Sequence, residues 1–164
     1  MDINTHWSEI RSVTRSALQS SLHCAIASID SDGFPHNTPI GSLILNDDCS
    51  GYYFEQFTRG MPERFKTNKN VSILLVNSGL RYWMRSLLTG NFPKPGAIRL
   101  TGIVGERREA TEQEKQRWLR RVYSLRWTKG HEILWSKMRY VRDIEFTGME
   151  TISAGSMTKS HWKA

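Results

Sequence analysis

Two polar turns constrain this chain more than any other feature. Residues 31–33 read Ser-Asp-Gly and residues 46–51 read Asn-Asp-Asp-Cys-Ser-Gly, and each stands between strand-like runs. Connections this short make neighbouring strands antiparallel, because a parallel return needs a crossover of a dozen or more residues. Gly33 supplies a positive φ at no steric cost. The first run, residues 22–30 (LHCAIASID), is nearly continuously apolar, which implies burial. The second is residues 36–45 (HNTPIGSLIL), and the third, residues 52–57 (YYFEQF), is aromatic on both faces. Pro39 cannot donate to a ladder and Gly41 presents no side chain. The second run is therefore expected at an edge or bulge where something approaches the backbone.

Around this block the chain reads as helix, three strands, short helix, strand, excursion, strand, two helices, strand. Residues 4–20 form an amphipathic helix, with Trp7, Ile10, Val13 or Thr14, and Ala17 or Leu18 at three- and four-residue spacing. Pro62 suits the first turn of a helix carrying residues 63–68. Residues 71–76 (VSILLV) form a buried strand, and residues 97–107 alternate like a strand. Between them, residues 78–96 make an insertion: a helical turn, then a Pro/Gly-rich loop. Thr111 and Glu114 stand at capping-box spacing. The helix after them buries Trp118, Leu119, Val122 and Tyr123 or Leu125, leaving Arg117, Arg120, Arg121 and Arg126 on a solvated face. A short helix at 131–138 and a strand at 141–152 complete the order. Six short strands with few helices make a mainly β (α+β) fold, an antiparallel barrel with flanking helices. Oligonucleotide-binding barrels and flavin-binding split barrels both satisfy this order.

At 164 residues the chain is expected to be one domain, 1–164, with a sizeable core. No apolar run approaches the roughly 18 residues of a membrane span. No basic segment followed by an apolar one opens the chain, so a cytoplasmic location is expected. Cys24 and Cys49 have no metal-site or CxxC spacing, and neither a disulfide nor a metal is expected. His23 and His131 have no partner at ligand spacing.

Charge is uneven. Residues 1–58 carry net −5, residues 59–142 net +13, and the remainder net −1. Arg outnumbers Lys 15 to 8, which favours planar recognition of phosphate or carboxylate. Between residues 59 and 105 there are eight basic side chains and one acid, Glu63. A nucleic-acid surface and a pocket for a phosphorylated small molecule both fit that asymmetry.

The candidate chemistry falls in residues 36–66, where local rules are broken: a proline lies inside a strand, and polar Asn37 and Thr38 precede it. Glu55 and Gln56 end an aromatic strand, followed by Thr58, Arg59, Gly60 and a helix start. Backbone N–H groups at a helix start attract phosphate, and Arg59, Arg64 and Lys66 add counter-charge. Asn37, Thr38 and Gln56 offer amides and a hydroxyl to a polar ring edge.

The runs GFPHNTPIGSLI, GYYFEQFTRG, ERFKTNKNVSILLV and AIRLTGIVGERREAT, in that order, resemble the pyridoxamine 5'-phosphate oxidase-like, FMN-binding split-barrel family over about residues 20–125. The resemblance implies an antiparallel split barrel of about six strands, a homodimer, and noncovalent FMN at the subunit interface. It places Asn37, Thr38 and Pro39 along the flavin and Phe54, Glu55 and Gln56 at the ring edge. Thr58, Arg59, Arg64 and Lys66 fall at the phosphate, and Arg99 reaches the cofactor from the partner subunit. It implies an oxidoreductase acting on a small molecule, with no catalytic side chain assigned. Trp83 in the insertion, or the tail GSMTKSHWKA, would meet the substrate. The family's Arg-x-His element and Pro-ended tail for pyridoxamine phosphate are missing, and Gly60-Met61 replace a basic pair, which argues against vitamin B6 oxidation. The alternatives are a nucleic-acid-binding barrel without catalysis, with Tyr82 and Trp83 stacking on bases, and a split barrel holding haem or a deazaflavin.

Overall fold

The computed structural model describes residues 2–135 and 137–158. Helix α1 (Trp7–Ser21) buries Trp7, Ile10, Val13, Thr14, Ala17 and Leu18, the face expected from their spacing. It ends at Leu22 in the left-handed region (φ 63), whose N–H bonds to the Leu18 carbonyl. That face packs with Ile26, Ile73 and Leu100 in the main core.

Seven strands form one antiparallel sheet: β1 (Cys24–Ile29), β2 (Pro35–Ile40), β3 (Ile44–Leu45), β4 (Ser50–Phe54), β5 (Asn70–Val76), β6 (Ala97–Glu109) and β7 (Tyr140–Thr151). Their order is β2-β1-β5-β6-β7-β4-β3. The seventh arises because the run expected at 36–45 breaks after Ile40. A Cβ on Gly41 would stand 3.0 Å from the Leu22 carbonyl oxygen, so the chain passes the end of α1 too closely for a side chain. The two edge strands, β2 and β3, are thus joined by three residues, and the sheet must curl until its edges meet at that bend. Ser42 fixes the bend: its hydroxyl accepts from Phe54 N at 3.1 Å and donates to Phe54 O at 3.3 Å.

Residues paired across strands share a face. The row Thr38, Ile26, Ile73, Leu100, Met149 points inward, and the row Pro39, Ala25, Leu74, Arg99, Glu150 points outward. Strand β4 is buried on both sides. Tyr53 joins the main core, while Tyr52 and Phe54 join Trp118, Val122 and Val141 in a second core.

The other helices are α2 (Met61–Thr67), α3 (Leu80–Thr89), α4 (Glu112–Val122) and α5 (Lys129–Trp135). The capping box opening α4 forms as expected: Thr111 accepts from Glu114 N, and the Glu114 carboxylate accepts from Thr111 N. The insertion at 78–96 holds a ten-residue helix, α3, where the sequence suggested a single turn. Among the described residues no helix is long and apolar enough to cross a membrane.

Candidate functional site

A cavity of about 1050 Å³ opens at the bend between β2 and β3. Its walls come from α1, residues 38–45, the end of β4, the turn leading to α2, and helices α4 and α5. Thr38 and Pro39 line it together with Phe54, Gln56 and Thr58. Two segments separated by 14 residues, both singled out by their sequence, therefore meet in one concave space. Thr38 is half-buried and Pro39 exposed, because neighbours on a strand point to opposite faces. Asn37 is exposed on the outer face and does not line the cavity. Phe57, exposed at the cavity wall, holds φ 62, a left-handed conformation uncommon outside glycine.

Glu55 turns the other way. Its carboxylate is 2% exposed and accepts from Arg142 Nε at 2.7 Å and Arg142 Nη2 at 3.1 Å. Arg142 also donates to the Gly105 carbonyl at 2.8 Å, and Tyr53 donates to Glu55 at 3.4 Å. Burial alone would lower the Arg142 pKa; the bonds to Glu55 outweigh it and raise it. Burial and the neighbouring Glu55 push the Tyr53 phenol well above its ordinary range.

None of the expected phosphate cations lines the cavity. Arg59 is exposed just before α2 and makes no hydrogen bond or ion pair among the described residues. Gly60 holds φ +78, and a Cβ there would meet Arg64 Nη1 at 3.1 Å, so the Arg64 guanidinium folds back over the Arg59-Gly60 turn. Arg64 Nε donates to Ser28 Oγ at 2.8 Å. Lys66 instead pairs with Glu63 at 2.6 Å in solvent. Arg99 pairs with Glu150 at 2.6 Å on the outer face.

Among the described residues, the cations that do line the cavity are Arg11, Arg15, Arg117 and Arg121. The sequence had put Arg117 and Arg121 on a solvated helix face. They instead reach the exposed edge of the β3 segment: Arg117 Nη2 donates to Leu45 O at 2.9 Å and Nη1 to Asn46 Oδ1 at 3.1 Å, and Arg121 Nη1 donates to Leu43 O at 2.8 Å. An edge strand presents unpaired carbonyls that need donors, and no local sequence pattern shows which edge a helix will meet. Leu119 is half-buried, while Tyr123 and Leu125 are 58% and 42% exposed, so the apolar face of α4 is narrower than expected. Trp118 and Trp135, ring centroids 5.9 Å apart, complete an aromatic wall.

Trp83, expected at a substrate, does not line the cavity; its Nε1 donates to Asn77 O at 2.9 Å. The tail also suggested for substrate contact lies outside the described residues from position 159 onward.

No family model and no curated relative matches the chain. Among solved structures it is similar to HupZ of Group A Streptococcus, with 14% identity, a TM-score of 0.58, and coverage of 90% of this chain and 94% of that one. It is similar to an FMN-binding protein of Syntrophomonas wolfei, with 12% identity, a TM-score of 0.56, and coverage of 92% and 95%. It is also similar to a Listeria innocua protein named after pyridoxamine 5'-phosphate oxidase, with 16% identity, a TM-score of 0.51, and coverage of 87% and 98%. At these identities the likeness is one of fold.

Proposed function

Because the chain has the pyridoxamine 5'-phosphate oxidase-like split-barrel fold, we propose that it binds FMN noncovalently between two copies of itself and acts as an oxidoreductase on a small molecule. The observation that carries this reading is the meeting of residues 38–39 and 54–58 in one cavity. Its size suits a ligand pocket, and its walls combine aromatic surface with a few polar groups, the usual make-up of a cofactor site. Thr38, Gln56 and Thr58 offer hydroxyls and an amide to a ribityl chain and ring edge, and Phe54 gives apolar surface. Arg59, with Arg64 folded over the adjacent turn, is the phosphate clamp at the cavity's margin. When bound, the flavin supplies the electron-transfer chemistry; the chain holds it, orients it and excludes water.

The outward row of the sheet supports the dimer. Leu74, Val76 and Ile103 remain 38–45% exposed there, an apolar surface of the sort that marks association. Arg99 stands three strands from Pro39 in that row, roughly 14 Å at ordinary strand spacing. That is beyond the reach of its side chain within one subunit, so its role at a flavin is to a partner's site. Asn37 belongs to the same outer face and takes part through the partner as well.

The test is the purified protein's visible spectrum, with mass spectrometry of the released ligand. A yellow protein with one FMN per chain is expected. Arg59→Glu removes a charge-assisted bond worth about 1.5–3 kcal/mol, so FMN affinity falls at least tenfold with the melting temperature unchanged. A colourless protein that does not take up added FMN sinks the proposal.

A further inference from the structure

We infer that the part of the cavity walled by α1 and α4 receives an organic anion with an aromatic or apolar body, the substrate class of the flavin site; this rests on the reading above. Four arginines line the cavity and no Asp or Glu does. Arg117 and Arg121 stand one turn apart on one face of α4. Both bond there to neutral oxygens, among them an amide and two backbone carbonyls. A guanidinium has five N–H donors, so each keeps donors to spare. Arg15 makes no hydrogen bond or ion pair among the described residues. Arg11 bonds to Asp47, a carboxylate 86% exposed on the 46–51 turn.

Arg121 keeps contact with solvent at the cavity wall, and the protein packed around it lowers its pKa from the usual arginine value. A cation held there without a counter-ion is stabilised by an anion that enters. Apolar and aromatic side chains, Leu18, Leu43, Phe54, Trp118 and Trp135, make up much of the remaining wall, with neutral polar Thr14 and Gln19 beside them. Carboxylate and phosphate monoester share the required chemistry.

The experiment titrates FMN-loaded protein with benzoate, phenyl phosphate and neutral benzamide, read by tryptophan fluorescence and by flavin absorbance. At least one anion is expected to bind about tenfold more tightly than benzamide, without flavin release. Benzoate alone identifies a carboxylate ligand, and phenyl phosphate alone a phosphate ligand. Arg121→Gln should abolish the preference, and Arg15→Gln, at an exposed side chain with nothing to unfold, should weaken it. Equal binding of benzamide and both anions overturns the inference, as does a preference untouched by both variants. One-for-one displacement of FMN also overturns it, because the arginines would then hold the flavin's own phosphate. A protein that binds no flavin but still prefers anions refutes the flavin reading and leaves the anion site standing. A protein that binds flavin and shows no preference does the reverse.

Discussion

Removing one member of the Glu55–Arg142 pair should damage the protein more than removing both. The side chains are 2% and 6% exposed and meet in two hydrogen bonds. Glu55→Leu leaves the Arg142 charge in the interior with only the Gly105 carbonyl as a bonded partner. Orphaning a buried ion in this way costs about 3–5 kcal/mol. A chain of this size loses about 2–4 °C of melting temperature per kcal/mol, so the midpoint should fall by roughly 6–20 °C. Arg142→Met should cost less, because Glu55 keeps Arg107 Nε at 3.6 Å and the Tyr53 hydroxyl at 3.4 Å. The double variant Glu55→Leu/Arg142→Met buries no charge and should recover at least half of either loss. Glu55→Gln keeps the shape and one acceptor, and its cost should be intermediate. Thermal melts by circular dichroism, with urea midpoints as a second measure, give the four values. Additive losses in the double variant would refute the reasoning, because they would mean that neither charge is left stranded by loss of the other. So would a Glu55→Gln protein of normal stability that cannot hold flavin, since the carboxylate would then act on the cofactor and not on Arg142.

Thr111→Ala removes the cap of α4 and should cost about 1 kcal/mol, measurable as a small drop in urea midpoint. Burial pushes the Cys24 thiol up to about 12. Cys24 should therefore resist a thiol reagent in the native protein at pH 8 and react once the protein is unfolded. The unfolded thiol ionises near 9 and the folded one near 12, so between those values the native state holds the extra proton and stability falls as pH rises; a guanidinium series above pH 9 checks the sign. Leu74→Glu puts charge into the outward row and should abolish the proposed dimer, read by light scattering, with a normal far-ultraviolet spectrum. A Leu74→Glu protein that stays dimeric rules out that face as the interface.

Local rules carried the sequence reading wherever one short stretch decides its own conformation. The α1 face follows from a three-to-four residue period, the cap of α4 from Thr111 and Glu114, and the turn at Gly33 from its free φ. The bend at Gly41 was marked by Pro39 and Gly41 themselves. The extra strand β3 was hidden because the run 36–45 stays apolar across the break, and only the passage of Leu22 beside Gly41 shows why it must divide. Helix α3 was masked by the Pro- and Gly-rich stretch that follows it. Glu55 was a reasonable candidate for a ligand contact from its place at a strand end, but Arg142 lies 87 residues later, and no local pattern links the two. The turned-in Arg117 and Arg121 belong to the same class: their partners, two backbone carbonyls and the Asn46 amide oxygen, lie more than 70 residues earlier.

The place of β7 has a consequence during synthesis. Among the described residues the hairpin of β3 and β4 has no other strand beside it than β7, and β7 begins only at Tyr140. Once Phe54 has been made, the ribosome must add more than 80 residues before its partner strand exists. At about 5–20 residues per second, a nascent edge carrying Tyr52, Tyr53 and Phe54 waits for roughly 4–20 seconds without a mate. Translation that halts before Tyr140 leaves that aromatic edge open for good, a ready template for aggregation, so messages truncated before that codon should yield more aggregated protein than messages that extend through β7.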